Sequence, residues 1–146
     1  MLAVEPQVIE TYVKPGKVKL VFRDVLNHGE RSIRTSEAAA CARQQDRFWD
    51  MHNLLFETQD TTWATANNGL LALMRTHAKT LAGLDQGAFD KCMTERATLK
   101  TLQAADAEQR KRGINSQPIF EIAGQRLVGV QPFEIMAQRI EAALKR

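Results

Sequence analysis

The chain has 146 residues, 44% of them hydrophobic and 25% charged, which is room for one domain with a packed core and the make-up of an ordinary globule. A net charge of +3 spread over scattered basic residues is too small to argue for nucleic acid, and none is expected as a partner; the densest cluster, Arg110-Lys111-Arg112, falls at a predicted helix end where cations offset exposed carbonyls. No apolar run approaches the roughly 20 residues that span a bilayer, and Met1-Leu2-Ala3-Val4-Glu5-Pro6 lacks the basic segment and apolar core of a signal peptide, so no membrane partner is expected and the compartment stays open.

In chain order, Leu2, Val4, Val8, Ile9 and Tyr12-Val13 form an apolar face at helical spacings, with Pro6 tolerated in the first turn. Pro15-Gly16 ends that helix. Val18-Lys19-Leu20-Val21-Phe22 reads as a buried strand with one outward lysine, and Asn27-His28-Gly29 begins a loop. Thr35-Ser36-Glu37 is the expected cap of a long helix through Ala38-Ala39-Ala40-Cys41-Ala42. That helix is expected to continue from Asp46 to Phe56 and to bury Phe48, Trp49, Met51, Leu54, Leu55 and Phe56. Asp60-Thr61-Thr62 begins another, carrying Trp63, Leu70-Leu71, Leu73-Met74 and Leu81. Ala82-Gly83-Leu84-Asp85 is a turn and cap for a short helix with Phe89, Cys92 and Met93. Residues 95–112 form a further helix with Leu99, Leu102, Ala105 and Gln109 inward.

The stretch from Gly113 to Gly129 organises the rest. Pro118 stands directly before Ile119-Phe120-Glu121-Ile122, Ala123-Gly124 is a turn signal, and a second apolar run ends at Gly129. Two strands joined by a tight turn are the natural reading. Proline lacks an N–H, so it suits the first residue of a strand, and an X-Pro bond at such an entry can be cis. Gln131-Pro132-Phe133 opens a last helix whose Phe133, Ile135-Met136, Ile140 and Leu144 are expected to pack on the sheet.

Gly113-Ile114-Asn115-Ser116-Gln117-Pro118-Ile119-Phe120, the turn, Leu127-Val128-Gly129 and a final helix resemble the C-terminal half of the DsbA-like branch of the thioredoxin superfamily, whose members are thiol–disulfide oxidoreductases. Glu5 to Tyr12, leading to Arg23-Asp24, resembles that family's first helix and second strand. The alanine run with Cys41, then Phe48-Trp49-x-x-His52-x-x-Leu55-Phe56, is similar to the start of its inserted helical domain, and so is Gly83-Leu84-Asp85 with Phe89 and Cys92.

The resemblance implies an α/β, thioredoxin-like fold with an inserted helical domain. Residues 1–30 and 113–146 would form the thioredoxin-like subdomain and 31–112 the insertion. It implies a cis-proline at Pro118 and substrate contacts at Gln117 and Pro118, made to protein thiols or extended peptides, with no cofactor and no metal. Gln117 stands where the family commonly has Thr or Val. The family's first strand and its Cys-x-x-Cys would lie before Met1, so no catalytic residue is expected here, and the chain is expected to be a truncated, inactive relative. A sheet lacking its first strand would close up or be completed in a homodimer. Two other readings stay open: a non-catalytic peptide-binding module, and a relative of the isomerase and glutathione-transferase-like enzymes of the same branch.

Cys41 and Cys92, the two cysteines, make no Cys-x-x-Cys, and neither has the setting that stabilises a thiolate. The residues alone leave buried free thiols or a reactive thiol open; the resemblance implies a structural disulfide between the two. His28, His52 and His77 have no cysteine or carboxylate at metal-ligand spacing, and His52 reads as a packing or surface residue. Asp24 reads as an ion-pair partner of Arg23 or a cap. Gly124 and Gly129 make no phosphate cradle, and Ser116 sits in no nucleophile elbow. The Phe/Trp stripe at 48–56 reads as core.

Overall fold

Five consecutive residues, Ala38 to Ala42, are buried on one helix, and the helical part of the chain is arranged around them. The computed structural model describes residues 4–145. It divides the chain into Met1–Arg23 with Ile114–Arg146 and, as a second unit, Asp24–Gly113.

The Asp24–Gly113 unit is all helix. Its central element α2 (Glu30–Arg43) touches α3 (Phe48–Glu57), α5 (Leu70–Thr80), α6 (Gln86–Thr94) and α7 (Leu99–Lys111), while α4 (Gln59–Ala64) packs on α3. Alanines along α2 present little side chain, so four neighbours reach its backbone closely at native packing density. Met51, Met74, Ala78, Leu84, Phe89 and Met93 fill the core around it.

Several expected boundaries move, each for a local reason. α2 starts at Glu30, after Gly29 at φ 60°, so Thr35, Ser36 and Glu37 lie inside the helix and cap nothing. It does not run on into α3. Asp46 adopts φ 59°, its N–H donates to Arg43 O at 3.1 Å, and Arg47 N–H donates to Ala42 O at 2.9 Å. These two bonds make a Schellman end, and Asp is one of the few side chains that tolerate its left-handed residue. The helix expected from Asp60 to Leu81 also breaks, through a 3₁₀ turn at Asn67–Gly69. Arg31 accounts for the end of α4: its guanidinium donates to the carbonyls of Thr62, Trp63 and Thr65 at 3.1, 3.3 and 3.1 Å. α7 begins at Leu99 rather than 95, after Arg96 at φ 51°. Asp85 caps α6, its carboxylate accepting the Ala88 N–H at 3.0 Å. The loop before α2 is held by α7, where Asp106 Oδ1 accepts the Leu26 N–H at 2.8 Å and Arg110 Nη2 donates to Leu26 O at 3.4 Å.

The other unit contains α1 (Glu5–Val8), which continues as a π-helical turn over Ile9–Val13, a hairpin of β1 (Ile119–Ile122) and β2 (Gln125–Val128), and α8 (Phe133–Leu144). Leu2, expected on the α1 face, lies outside the described residues. Val8, Tyr12, Met136 and Ile140 are the buried centre, with Val4, Val18, Phe120, Ile122, Leu127, Phe133 and Ala137 packed against them. The hairpin register pairs Ile119 with Val128 and Ile122 with Gln125. Its turn residues Ala123 and Gly124 both have positive φ, 48° and 81°, which matches the twist of two strands joined by two residues.

Two expectations for this unit are corrected. Val18–Phe22 is not a strand: among the described residues the sheet contains β1 and β2 only, so this segment has no ladder, and Val21 is 53% exposed. On α8, Met136 and Ile140 are buried as the spacing requires, but Ile135 and Leu144 lie on its outer side, 37% and 45% exposed.

Candidate functional site

The hairpin presents one face to its own core and one outward. Phe120, Ile122 and Leu127 pack inward, so the two-residue period of a strand puts Ile119, Glu121, Arg126 and Val128 on the other side. There Arg126 Nε donates to Glu121 Oε1 at 2.8 Å, while Val128 and, past Gly129, Val130 stand 65% and 70% exposed. At the mouth of the hairpin the Gln117–Pro118 peptide bond is cis. Gln117 is exposed and Pro118 half-buried. The Pro118 carbonyl accepts the Gly129 N–H at 2.9 Å, which extends the pairing by one step. Gln131 Nε2 donates to Val128 O at 2.9 Å and fixes the exit of β2. The result is a hairpin start that carries an exposed amide side chain and two exposed valines.

Cys41 and Cys92 are joined to each other, with Cα atoms 5.9 Å apart, and both are buried. The bridge ties α2 to α6. One helical turn before Cys41, Glu37 is completely buried and receives three hydrogen bonds. Arg96 Nε and Nη2 donate to its two oxygens at 3.0 and 3.2 Å, and Arg34 Nη1 donates to Oε2 at 3.2 Å. Glu30 pairs with the same two arginines, at 2.9 and 3.2 Å. Arg34 Nη1 also donates to the carbonyl of Met93, the neighbour of Cys92, at 3.3 Å. The hydrogen bond to Glu37 is the main cause that raises the Arg96 pKa. Disulfide and ion cluster therefore clamp the same pair of segments.

Asp24 faces α2 and α3. Burial pushes its carboxyl pKa up from 3.8, and the opposing pulls of the Ser36 hydroxyl, Arg43 and His52 do not cancel that. Its surroundings are thus these three residues in place of the expected Arg23 pairing. His52 is buried among Phe48, Trp49 and Phe56, with ring centroids 5.7, 5.2 and 4.8 Å away. Of that stripe Trp49 is exposed, and Met51 and His52 are the fully buried members. His77 is also buried, which lowers its pKa. The Thr58 hydroxyl gives its proton to Leu54 O at 2.6 Å, so the His77 Nε2–H is the donor in the 3.1 Å contact to Thr58 Oγ1. His28 lies edge-on to Trp63 at 5.1 Å. The three histidines occupy separate places, and among the described residues no group of three His, Cys, Asp or Glu could hold a metal.

A family model described as thioredoxin matches residues 2–142, nearly the whole chain. This chain belongs to the thioredoxin family. The crystal structure of oxidised BdbD from Bacillus subtilis is similar over 98% of this chain and 77% of that one, with a TM-score of 0.84 and 22% sequence identity, a likeness of fold. No curated protein sequence matches the chain. The fold is the DsbA-like variant of thioredoxin, in which a helical unit interrupts the chain before the hairpin. Within this thioredoxin-family member the sequence pattern pointed to Pro118, Cys41 and Cys92, and it missed Glu37, Arg34 and Arg96. Their only local signal is the Glu30, Arg34, Glu37 spacing on one helix face; Arg96 is 59 residues from Glu37.

Proposed function

We propose that these residues form a substrate-holding scaffold of the DsbA-like thiol–disulfide oxidoreductase family. It would grip a cysteine-bearing polypeptide in extended form at Gln117 and Pro118, while its own two sulfurs take no part in exchange. The observation that carries this reading is the bond between Cys41 and Cys92. A dithiol exchanger needs one accessible sulfur whose thiolate is stabilised and a second within reach to resolve the mixed disulfide. Both sulfurs of this sequence are spent in a single buried bridge. Each also lies in the last turn of its helix, Cys41 in α2 and Cys92 in α6, where the helix dipole disfavours a thiolate. The exposed Gln117 side chain and the exposed valines beside Pro118 support the peptide-holding half of the reading.

The test has two arms. With an oxidised peptide and a dithiol substrate, exchange should not exceed the protein-free rate; exchange that disappears on changing Cys41→Ala and Cys92→Ala together would overturn the assignment of these sulfurs. A photo-crosslinker at position 117 should capture a cysteine-bearing peptide in preference to one at the exposed Gln138 on α8. Equal capture at the two positions would overturn the peptide site.

A further inference from the structure

The Asp24–Gly113 unit carries an open groove of about 330 Å³, near the small end of the roughly 300–1,000 Å³ that small-molecule sites occupy. One wall is a face of α3 that runs from its cap Arg47 through Asp50 and Leu54 to Glu57, and the other is the turn Thr80 to Ala82 after α5. Contacts between the walls mark its two ends. At one end Arg47 Nη1 donates to Asp50 Oδ2 at 3.2 Å, and the same guanidinium reaches across to Gly83, where an added Cβ would stand 2.9 Å from Nη2. At the other end His77 joins the walls. Its Nε2–H donates to Thr58 Oγ1, next to Glu57, at 3.1 Å, and its carbonyl accepts the Thr80 hydroxyl at 2.8 Å. Leu54 and Leu81, both half-buried, supply the apolar middle.

The charges of this groove do not cancel. Asp50 has Arg47. Glu57 is exposed and, among the described residues, belongs to no ion pair or hydrogen bond, and α3 has no basic residue in its last turn. The Asn53 amide, also on the groove, is exposed and without a hydrogen bond among the described residues. Thr80 spends its proton on His77 O, so its hydroxyl has only lone pairs left to offer.

We infer that the groove binds a small aliphatic amine, with the ammonium at Glu57 and the carbon chain laid along Leu54 and Leu81. An ammonium has three N–H donors and no acceptor, which suits the Glu57 carboxylate, the Asn53 amide oxygen and the Thr80 hydroxyl. From Asp50 to Glu57 the helix rises roughly 10 Å, room for a chain of about six carbons. A neutral chain would leave the Glu57 charge unmatched, and an anionic one would oppose it.

The experiment titrates the full 146-residue chain with hexylamine, hexanol and hexanoate and follows the backbone amide shifts by NMR. Hexylamine should move the amides of Asn53, Leu54, Glu57 and Thr80 to Ala82. It should bind about fivefold more tightly than hexanol, the size of effect an exposed ion pair supplies, with the preference shrinking as salt rises. Hexanoate should bind more weakly than either. Glu57→Gln, a change at an exposed position, should bring hexylamine down to the level of hexanol and leave hexanol as it was. Ala82→Phe, which fills the groove, should abolish binding of both. Equal affinity for amine and alcohol would overturn the inference, as would an amine preference that survives Glu57→Gln or shifts scattered over other carboxylates. A lysine-bearing peptide that moves the same amides and binds more tightly than hexylamine would also overturn it, since the occupant would then be a partner chain.

Discussion

In the helical unit a disulfide, a fully buried carboxylate gripped by two arginines and an alanine-lined helix tie one element to four others. In the unit that carries the hairpin, the described residues form a core centred on four buried side chains beside a two-stranded sheet, and no disulfide lies there. A two-stranded hairpin is marginal without packing against something else. The same unit exposes Val21, Val128 and Val130. The contrast teaches where each feature lies: the cross-linked, closely packed core in the inserted helices, and exposed apolar side chains in the hairpin unit. The aromatic reporters divide the same way. Both tryptophans, Trp49 and Trp63, belong to the helical unit, and the one tyrosine, Tyr12, belongs to the other.

The largest effect should come from opening the bridge. Closing a loop of 51 residues stabilises by about 4 kcal/mol in the chain-entropy account, so Cys41→Ala with Cys92→Ala should lower the tryptophan-detected denaturation midpoint by a matching amount. Amide protection in α8 should change far less. Equal losses in α8 would mean that both units unfold as one, and the contrast would fail.

Next is Glu37→Gln, which takes from Arg34 and Arg96 the buried carboxylate they share and leaves them the half-buried Glu30. Removing one partner of a buried pair costs up to 5 kcal/mol, and with both arginines partly reaching solvent a loss of about 3 kcal/mol is expected in the same assay. In the hairpin unit, Met136→Ala should cost about 2 kcal/mol, at the low end for a methionine because so small a core collapses around the vacancy. Tyr12 signals and exchange of the α8 amides report it, and a tryptophan-detected shift of the same size would blur the distinction between the units.

The smallest effect concerns Asp24. Its folded pKa lies above 3.8 because burial disfavours the charged form. The native state therefore holds this proton more tightly than the unfolded chain. The stabilisation is complete below the unfolded value and is lost as pH rises through the folded pKa. Asp24→Asn, which keeps an acceptor for Ser36, should thus unfold later than the wild type at pH 7, with the gap closing below about pH 4. A gap that widens in acid would reverse the assigned sign.

How much of this was legible follows the range of the forces involved. The hairpin was readable because Ala123-Gly124 and the flanking apolar runs are local signals, and the Asp85 cap was readable for the same reason. The end of α2 at Asp46 was harder, since a Schellman turn built on Asp looks like any polar stretch until its backbone bonds are seen. The end of α4 was not readable, because Arg31, some thirty residues earlier, supplies the hydrogen bonds that stop it. Val18–Phe22 has every local mark of a strand, but among the described residues no neighbour pairs with it. Glu37 looked like a cap, and its true partner Arg96 comes from a distant turn whose left-handed residue nothing in the local pattern announces.

The run from Ala38 to Ala42 has one more consequence. Helices normally tolerate change with a rhythm, strict on one side and lenient on the other. With Glu37 before them, six successive positions are enclosed whatever their phase. A saturation scan of α2 should therefore return an unbroken block of intolerance to any larger side chain, bordered on each side by ordinary helical rhythm.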